Sequence, residues 1–118
     1  MDSFRVVVCG GRDYADEAFV NASLDDIHHV RPISDLMQGG CKTGADAFAK
    51  AWVARHPEII PWEFPAEFAK LGVAAGPMRN QRMADWKPDV VVSFPGGKGT
   101  ADMVRKARKA GIAVMELP

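Results

Sequence analysis

The stretch DVVVSFPGGKGT, residues 89–100, joins a strand signal directly to a turn signal. Its first half is a run of β-branched residues between turn formers, which predicts a buried strand over Asp89–Phe94. Its second half is a glycine-rich turn that leads into a helix ending near Ala110, where the apolar residues recur at helical spacing. A buried strand that enters a helix through a glycine turn is typical of an open parallel sheet.

The same strand-to-glycine pattern occurs twice more upstream. Phe4–Cys9 (FRVVVC) and Ser34–Gln38 (SDLMQ) read as short strands, and each is followed at once by Gly-Gly. Two further runs, Glu58–Phe64 and Ala113–Leu117, complete a set of five strands. Pro61 has no N–H to give to a strand ladder, so we expect its strand at a sheet edge.

Helices are predicted between these strands. The clearest covers about Ala45–Arg55, and others cover about residues 16–29 and 77–86. Thr43 and Asp46 have the spacing of a capping box at a helix start. The Pro- and Gly-containing segment 65–77 predicts a long loop with room for one helical turn, a kind of segment that is often functional. We therefore expect a Rossmann-like three-layer α/β/α fold with a mostly parallel five-stranded sheet, forming a single domain over residues 1–118.

Composition narrows the class of protein. The 118 residues suit one domain. Lys plus Arg total 15 and Asp plus Glu total 15, so the formal net charge is zero, which argues against bulk electrostatic binding of nucleic acid. No apolar run is long enough to cross a bilayer and the start MDSFRVVV does not resemble a signal peptide, so we expect a cytoplasmic protein. The two cysteines show no metal-ligand spacing, and we expect neither a metal site nor a cofactor.

The glycine turns indicate where a ligand would bind. Parallel strands present their carboxyl ends at one edge of the sheet, so the three turns should converge in one crevice. Helix N-termini offer free N–H groups and a partial positive charge, which favour phosphate, and glycine allows close approach of a ligand. A tight turn without a ligand is the alternative for each turn taken alone. Neither the dinucleotide fingerprint G-x-G-x-x-G nor the P-loop pattern is present, which disfavours NAD binding and ATP hydrolysis.

Polar residues beside these turns are the further candidates. Arg12 and Arg79 suit a phosphate clamp, Asn80 suits a base edge, and Lys98 adds positive charge, with surface ion pairs or a solvated helix face as the alternatives. The candidate ligand-binding residues are Gly10, Gly11, Arg12, Asp13, Gly39, Gly40, Gly44, Asp46, Arg79, Asn80, Pro95, Gly96, Gly97, Lys98, Gly99 and Thr100.

The ordered motifs carry a family resemblance. The segments CGGRDY (9–14), GGCKTGAD (39–46), FPAEF (64–68), GPMRNQRM (76–83) and FPGGKGTADMV (94–104) resemble the SLOG superfamily, which contains the DprA/Smf proteins and the "lonely guy" (LOG) phosphoribohydrolases. The resemblance is strongest to the small single-domain YspA/YpsA-related branch of bacteria and phages, whose function is unknown. It implies a five-stranded parallel sheet and a site for a nucleotide or a nucleotide-derived small molecule, and it favours a homodimer.

One departure from the LOG pattern bears on catalysis. LOG enzymes release a base from a nucleoside 5′-monophosphate and carry P-G-G-x-G-T-x-x-E, but Met103 occupies the Glu position here. An enzyme would have to use Asp46, Asp13 or Asp102 instead. We therefore expect binding or sensing of a nucleotide-type ligand without turnover, with a LOG-like phosphoribohydrolase or a related nucleotide-processing enzyme as the alternative. Single-stranded DNA binding, which resemblance to DprA would suggest, is disfavoured by the zero net charge.

Overall fold

The computed structural model describes residues 3–118 and contains one five-stranded, all-parallel sheet with the order β3-β2-β1-β4-β5. This confirms the predicted fold class. The strands are β1 (Arg5–Cys9), β2 (Asp35–Gln38), β3 (Ile60–Glu63), β4 (Val90–Ser93) and β5 (Ala113–Glu116). The helices are α1 (Glu17–Val30), α2 (Gly44–Ala54), α3 (Phe68–Leu71), α4 (Ala75–Asp85) and α5 (Lys98–Lys109), with a 3-10 turn at Gly72–Ala74.

The central strands are buried on both faces because helices cover the sheet on both sides. Val6 and Val8 of β1 pack into the apolar cluster that contains residues of α1 and α2. Val7, which lies between them, packs with Met83 of α4 and Met103 of α5 on the opposite face. A continuous valine run rather than an alternating one is what such a strand requires.

The sheet edges are exposed, and β3 forms one of them as Pro61 predicts. Pro61 pairs in register with Leu36 of β2 on the inner side, so its missing N–H costs no bond to a further strand. Within residues 3–118, no helix is long and apolar enough to cross a membrane.

The order of the strands places the site. The chain runs outward from β1 through β2 to β3 and then returns to β4 on the other side of β1. The strand order therefore reverses between β1 and β4, which pair in register from Val6↔Val90 to Cys9↔Ser93. Ligands of open α/β sheets bind just beyond the strand ends at such a point.

The segment 65–77 is more helical than the predicted loop, which had room for one helical turn. It holds α3 and the 3-10 turn, and α4 begins at Ala75, two residues before Pro77. Pro77 lies in the first turn of α4, as expected, because the N–H it lacks has no helical partner there.

The capping box is also absent. Thr43 is the residue before α2, but its side chain accepts no bond from the helix. Its hydroxyl instead donates to the Arg12 carbonyl oxygen at 2.8 Å. The Asp46 carboxylate accepts from the Cys41 N–H at 3.2 Å. Thr43 and Asp46 thus bond to backbone groups of the loops and not to the start of α2.

Candidate functional site

A crevice of about 340 Å³ lies beyond the carboxyl ends of β1, β2 and β4. Its size is at the lower end of the range for small-molecule sites. The predicted residues that line it are Gly10, Gly11, Arg12, Asp13, Gly39, Asp46, Arg79, Asn80, Gly97, Lys98, Gly99 and Thr100. The predicted residues outside its lining are Gly40, Gly44, Pro95, Gly96 and Asp102.

The turn after β1 is packed directly against its neighbours. The Gly11 N–H donates to the Pro95 carbonyl at 2.9 Å, and the Gly11 carbonyl accepts from the Ala45 N–H at 3.3 Å. Gly44 has φ +75° and its ideal Cβ position lies 2.7 Å from the Arg12 Cα, so a side chain there would strain the backbone and clash. Glycine at position 44 is therefore required for the turns to pack on each other, and no ligand is needed to explain it.

Two kinds of glycine occur in the turn before α5. A Cβ on Gly96 would lie 2.7 Å from the Gly11 N and would clash with the Thr100 hydroxyl, so this glycine allows the two turns to touch. Gly97 and Gly99 are different: an added Cβ would meet no protein atom within 4 Å, and neither has a positive φ. No side chain caps α5, so the N–H groups of its first turn face the crevice without a side-chain acceptor.

Arg79, on α4, reaches across the crevice to the end of β2. Its Nη1 donates to the Gly39 carbonyl at 2.8 Å and its Nε donates to the Asn80 Oδ1 at 2.9 Å. A Cβ on Gly39 would lie 2.9 Å from the Arg79 Cζ, so the guanidinium occupies the space that a side chain at position 39 would need. The glycine after β2 thus makes room for an arginine 40 residues later in the chain.

Asn80 is buried, and its amide is used inside the protein. Its Nδ2 donates to the Gly99 carbonyl and to the Asp102 Oδ2, both at 3.0 Å. The amide therefore joins α4 to the first turn of α5, and both of its N–H groups are already used. Asn80 thus supports the crevice wall, and the geometry gives it no free donor for a base edge.

Asp102 belongs to the same support. Burial alone would raise the pKa of Asp102, but hydrogen bonds from Lys106 and Asn80 outweigh that effect and lower it. The Lys106 Nζ lies 2.6 Å from Oδ2 and also donates to the Pro77 carbonyl at 3.0 Å. Asp102 is consequently held as an ion pair outside the crevice.

Asp46 is the buried carboxylate of the crevice, with 8% of its surface exposed. Burial raises the pKa of Asp46, although the Cys41 N–H, the Arg79 charge and the Gly39 N–H each oppose the rise. The other predicted acid of the crevice, Asp13, lies with Arg12 on the exposed lip. A buried carboxylate near a cation is a common feature of functional sites and also of structural ion-pair networks.

The crevice also contains apolar residues that were not predicted to line it. Cys9, Met83 and Met103 line its floor, and all three also pack in the core. Their signal in the sequence was that of core positions, since each lies on the buried face of its strand or helix. Burial raises the pKa of Cys9 to about 12, so this thiol stays protonated and does not act as a nucleophile.

Fold and crevice together define a Rossmann-like α/β protein with a glycine-lined cavity at the topological switch point. The chain belongs to the YspA, cpYpsA-related SLOG family (YAcAr), whose model matches residues 4–70, more than half of its length. The predicted family is thereby confirmed.

Comparison with solved structures shows the same fold. The Moco carrier protein from Chlamydomonas reinhardtii aligns with a TM-score of 0.62 and 19% sequence identity, over 98% of this chain and 76% of the other. At that identity the likeness concerns the fold alone. No curated protein matches the sequence.

Proposed function

We propose that this protein binds a nucleotide or a nucleotide-derived small molecule in the crevice. The phosphate would lie on the Gly96–Thr100 turn at the N-terminus of α5, with residues 10–13 and 39–46 as the other walls and Arg79 as a facing cation. The observation that carries this proposal is the pair Gly97 and Gly99. Neither a positive φ nor a neighbouring atom requires glycine at these two positions, whereas close approach of a ligand to the backbone would.

The charges of the crevice support an anionic ligand. Lys98, Arg79 and Arg12 line it together with two carboxylates, Asp46 and Asp13, so the side chains carry one excess positive charge when all are ionised. The uncapped first turn of α5 adds a partial positive charge. In a chain of zero net charge, this positive potential is local and suits a small anion rather than a polymer.

Binding without turnover is the form of the proposal that the residues favour. Met103 lines the crevice where LOG enzymes carry Glu, and its side chain can neither take up a proton nor bind a hydroxyl. Asp102 is tied to Lys106 and Asn80, which leaves Asp46 and Asp13 as the acids that an enzyme would use. The neighbour of the same fold is named as a carrier, a role that needs binding alone. Hydrolysis of a nucleoside monophosphate stays the second candidate because Asp46 lies in the crevice near Arg79.

A ligand screen on two matched lysine variants tests the proposal. Lys98 and Lys109 lie at opposite ends of α5 and both are exposed, so Lys98→Ala and Lys109→Ala make the same charge change on the same helix. Thermal shift would be measured against nucleoside monophosphates, dinucleotides, cyclic nucleotides and ADP-ribose. We expect at least one compound to stabilise the wild type and Lys109→Ala.

The same compound should bind Lys98→Ala about tenfold more weakly in calorimetry, since one charge-assisted contact contributes about 1.5 kcal/mol. Chromatography of the incubated mixture should show no free base. A panel that stabilises nothing, or equal affinity in the two lysine variants, would refute the proposed site. Release of free base would show that the protein is a hydrolase and would contradict binding without turnover.

A further inference from the structure

We infer that Asp46 and Arg79 together select for a ligand with one anionic end and one neutral, hydrogen-bond-donating group, and that this neutral group lies between them. The inference rests on the proposed function. It adds the orientation of the ligand in the crevice and the class of molecule that the crevice accepts. Its basis is the arrangement of the two side chains around Gly39.

Both charged groups approach the same backbone position from different helices. From the ideal Cβ position of Gly39, the Arg79 Cζ is at 2.9 Å and the Asp46 Oδ2 is at 3.0 Å. They nevertheless form no ion pair at contact distance, since the ion pairs of residues 3–118 all lie elsewhere. Each side chain is instead held by the backbone, Arg79 by the Gly39 carbonyl and Asp46 by the Cys41 N–H. Opposite charges thus lie side by side without a direct contact between them.

Both groups keep hydrogen-bonding capacity for a ligand. An ionised carboxylate accepts at about four lone-pair positions, and the backbone N–H groups of Cys41 and Gly39 account for at most two at Asp46. A guanidinium has five N–H donors, and Arg79 spends two of them on Gly39 and Asn80. A group that donates to Asp46 and accepts from Arg79 therefore satisfies both, as sugar hydroxyls and the edge of a nucleobase do.

An anionic group suits the Asp46 side of this wall poorly. Asp46 is 8% exposed, and in such a weakly screened position a carboxylate repels a phosphate more strongly than it would in water. The wall formed by Gly97, Lys98 and Gly99 has no carboxylate among its own residues and carries the free N–H groups of α5. The two walls therefore orient the ligand, with its anionic group at α5 and its neutral donor group at Asp46.

Calorimetry with a graded set of probes tests this orientation. The probes are inorganic phosphate, ribose 5-phosphate, the four common nucleoside 5′-monophosphates and adenosine 3′,5′-bisphosphate, titrated at about pH 8 to favour the ionised carboxylate. The variants are Asp46→Asn, which keeps the shape of the side chain but not its charge, and the control Asp26→Asn on the exposed surface of α1. For the wild type we expect at least one monophosphate to bind tenfold more tightly than inorganic phosphate, and the bisphosphate to bind more weakly than AMP.

In Asp46→Asn both differences should shrink to about threefold or less, while Asp26→Asn should match the wild type. Ribose 5-phosphate that binds as tightly as the nucleotides would identify the donor as sugar hydroxyls, and weaker binding would identify it as the base; either result supports the inference. Equal wild-type affinity for phosphate and all monophosphates, or a preference that survives in Asp46→Asn, would overturn it. The wild-type comparison of AMP with the bisphosphate decides the matter even if the variant does not fold. If no probe of this set binds the wild type but a dinucleotide, a cyclic nucleotide or ADP-ribose does, the inference fails and the proposed function stands; if no compound of the wider panel binds either, the proposed function itself fails.

Discussion

Replacing Gly99 with alanine separates ligand binding from folding, and Gly76→Ala is its matched control. Both glycines are the second residue of a helix, in α5 and α4, and at both positions an added Cβ would meet no protein atom within 4 Å. Alanine is more favourable than glycine in a helix by about 0.5–1 kcal/mol, so both variants should gain stability. With an unfolding entropy of about 0.25 kcal/mol/K for a chain of this length, each melting temperature should rise by about 2–4 °C.

The two variants should differ in ligand binding. Gly99 lines the crevice and Gly76 does not, so the new methyl group at position 99 takes space that a bound phosphate needs. We expect Gly99→Ala to weaken binding of the compound found in the screen at least tenfold, and Gly76→Ala to leave it unchanged. Thermal denaturation gives the melting temperatures and isothermal calorimetry gives the affinities. Unchanged affinity in Gly99→Ala would refute the claim that a ligand requires glycine there, and equal losses in both variants would point to an indirect effect of the helix.

Three further predictions concern the side chains around the crevice. Gly39→Ala should lower ligand affinity as much as Arg79→Ala does, because the new Cβ takes the position of the guanidinium. Calorimetry measures both affinities, and a Gly39→Ala variant that binds like the wild type would contradict the prediction. Asn80→Ala should lower the free energy of unfolding by about 2–3 kcal/mol, because it removes the two hydrogen bonds with which the buried Asn80 amide joins α4 to α5. A loss below about 1 kcal/mol in urea denaturation would count against this role. At about pH 8, iodoacetamide should modify the partly buried Cys41 and spare the buried Cys9, since burial raises the pKa of Cys9 to about 12. Mass spectrometry that finds the folded protein alkylated at Cys9 would contradict this prediction.

Much of the fold could be predicted because its signals are local. The valine runs at Phe4–Cys9 and Asp89–Phe94 predict strands buried on both faces, and they are the adjacent central strands β1 and β4. Pro61 predicts an edge strand, and β3 is at the edge. The segment 65–77 was predicted less well, because its prolines and glycines suggest a loop while its helical turns depend on packing against α4.

The site could be predicted in outline but not in its bonding. The glycine turns predicted a crevice beyond the carboxyl ends of the strands, because parallel strands all end there, and a crevice lies at that place. The sequence does not show which of these glycines are needed for packing and which face open space. Gly44 is of the first kind and Gly99 is of the second. Nor does spacing show that Thr43 and Asp46 form no capping box. The Thr43 hydroxyl takes its partner, the Arg12 carbonyl, from a neighbouring loop, while Asp46 accepts from the Cys41 N–H in its own loop.

The class of fold, the family and the end of the sheet at which the crevice lies could all be predicted from the sequence, since hydrophobic patterning and turn chemistry act over a few residues. Two features could be seen only in the tertiary structure. Arg79 lies over Gly39 beside Asp46, and the Asn80 amide donates its hydrogen bonds to α5. These pairings join residues 19 to 40 positions apart, and the strand order and the packing of the helices set them. Physically, the backbone pattern creates a crevice, while the side chains that cross it give that crevice its charges and its free hydrogen-bonding groups.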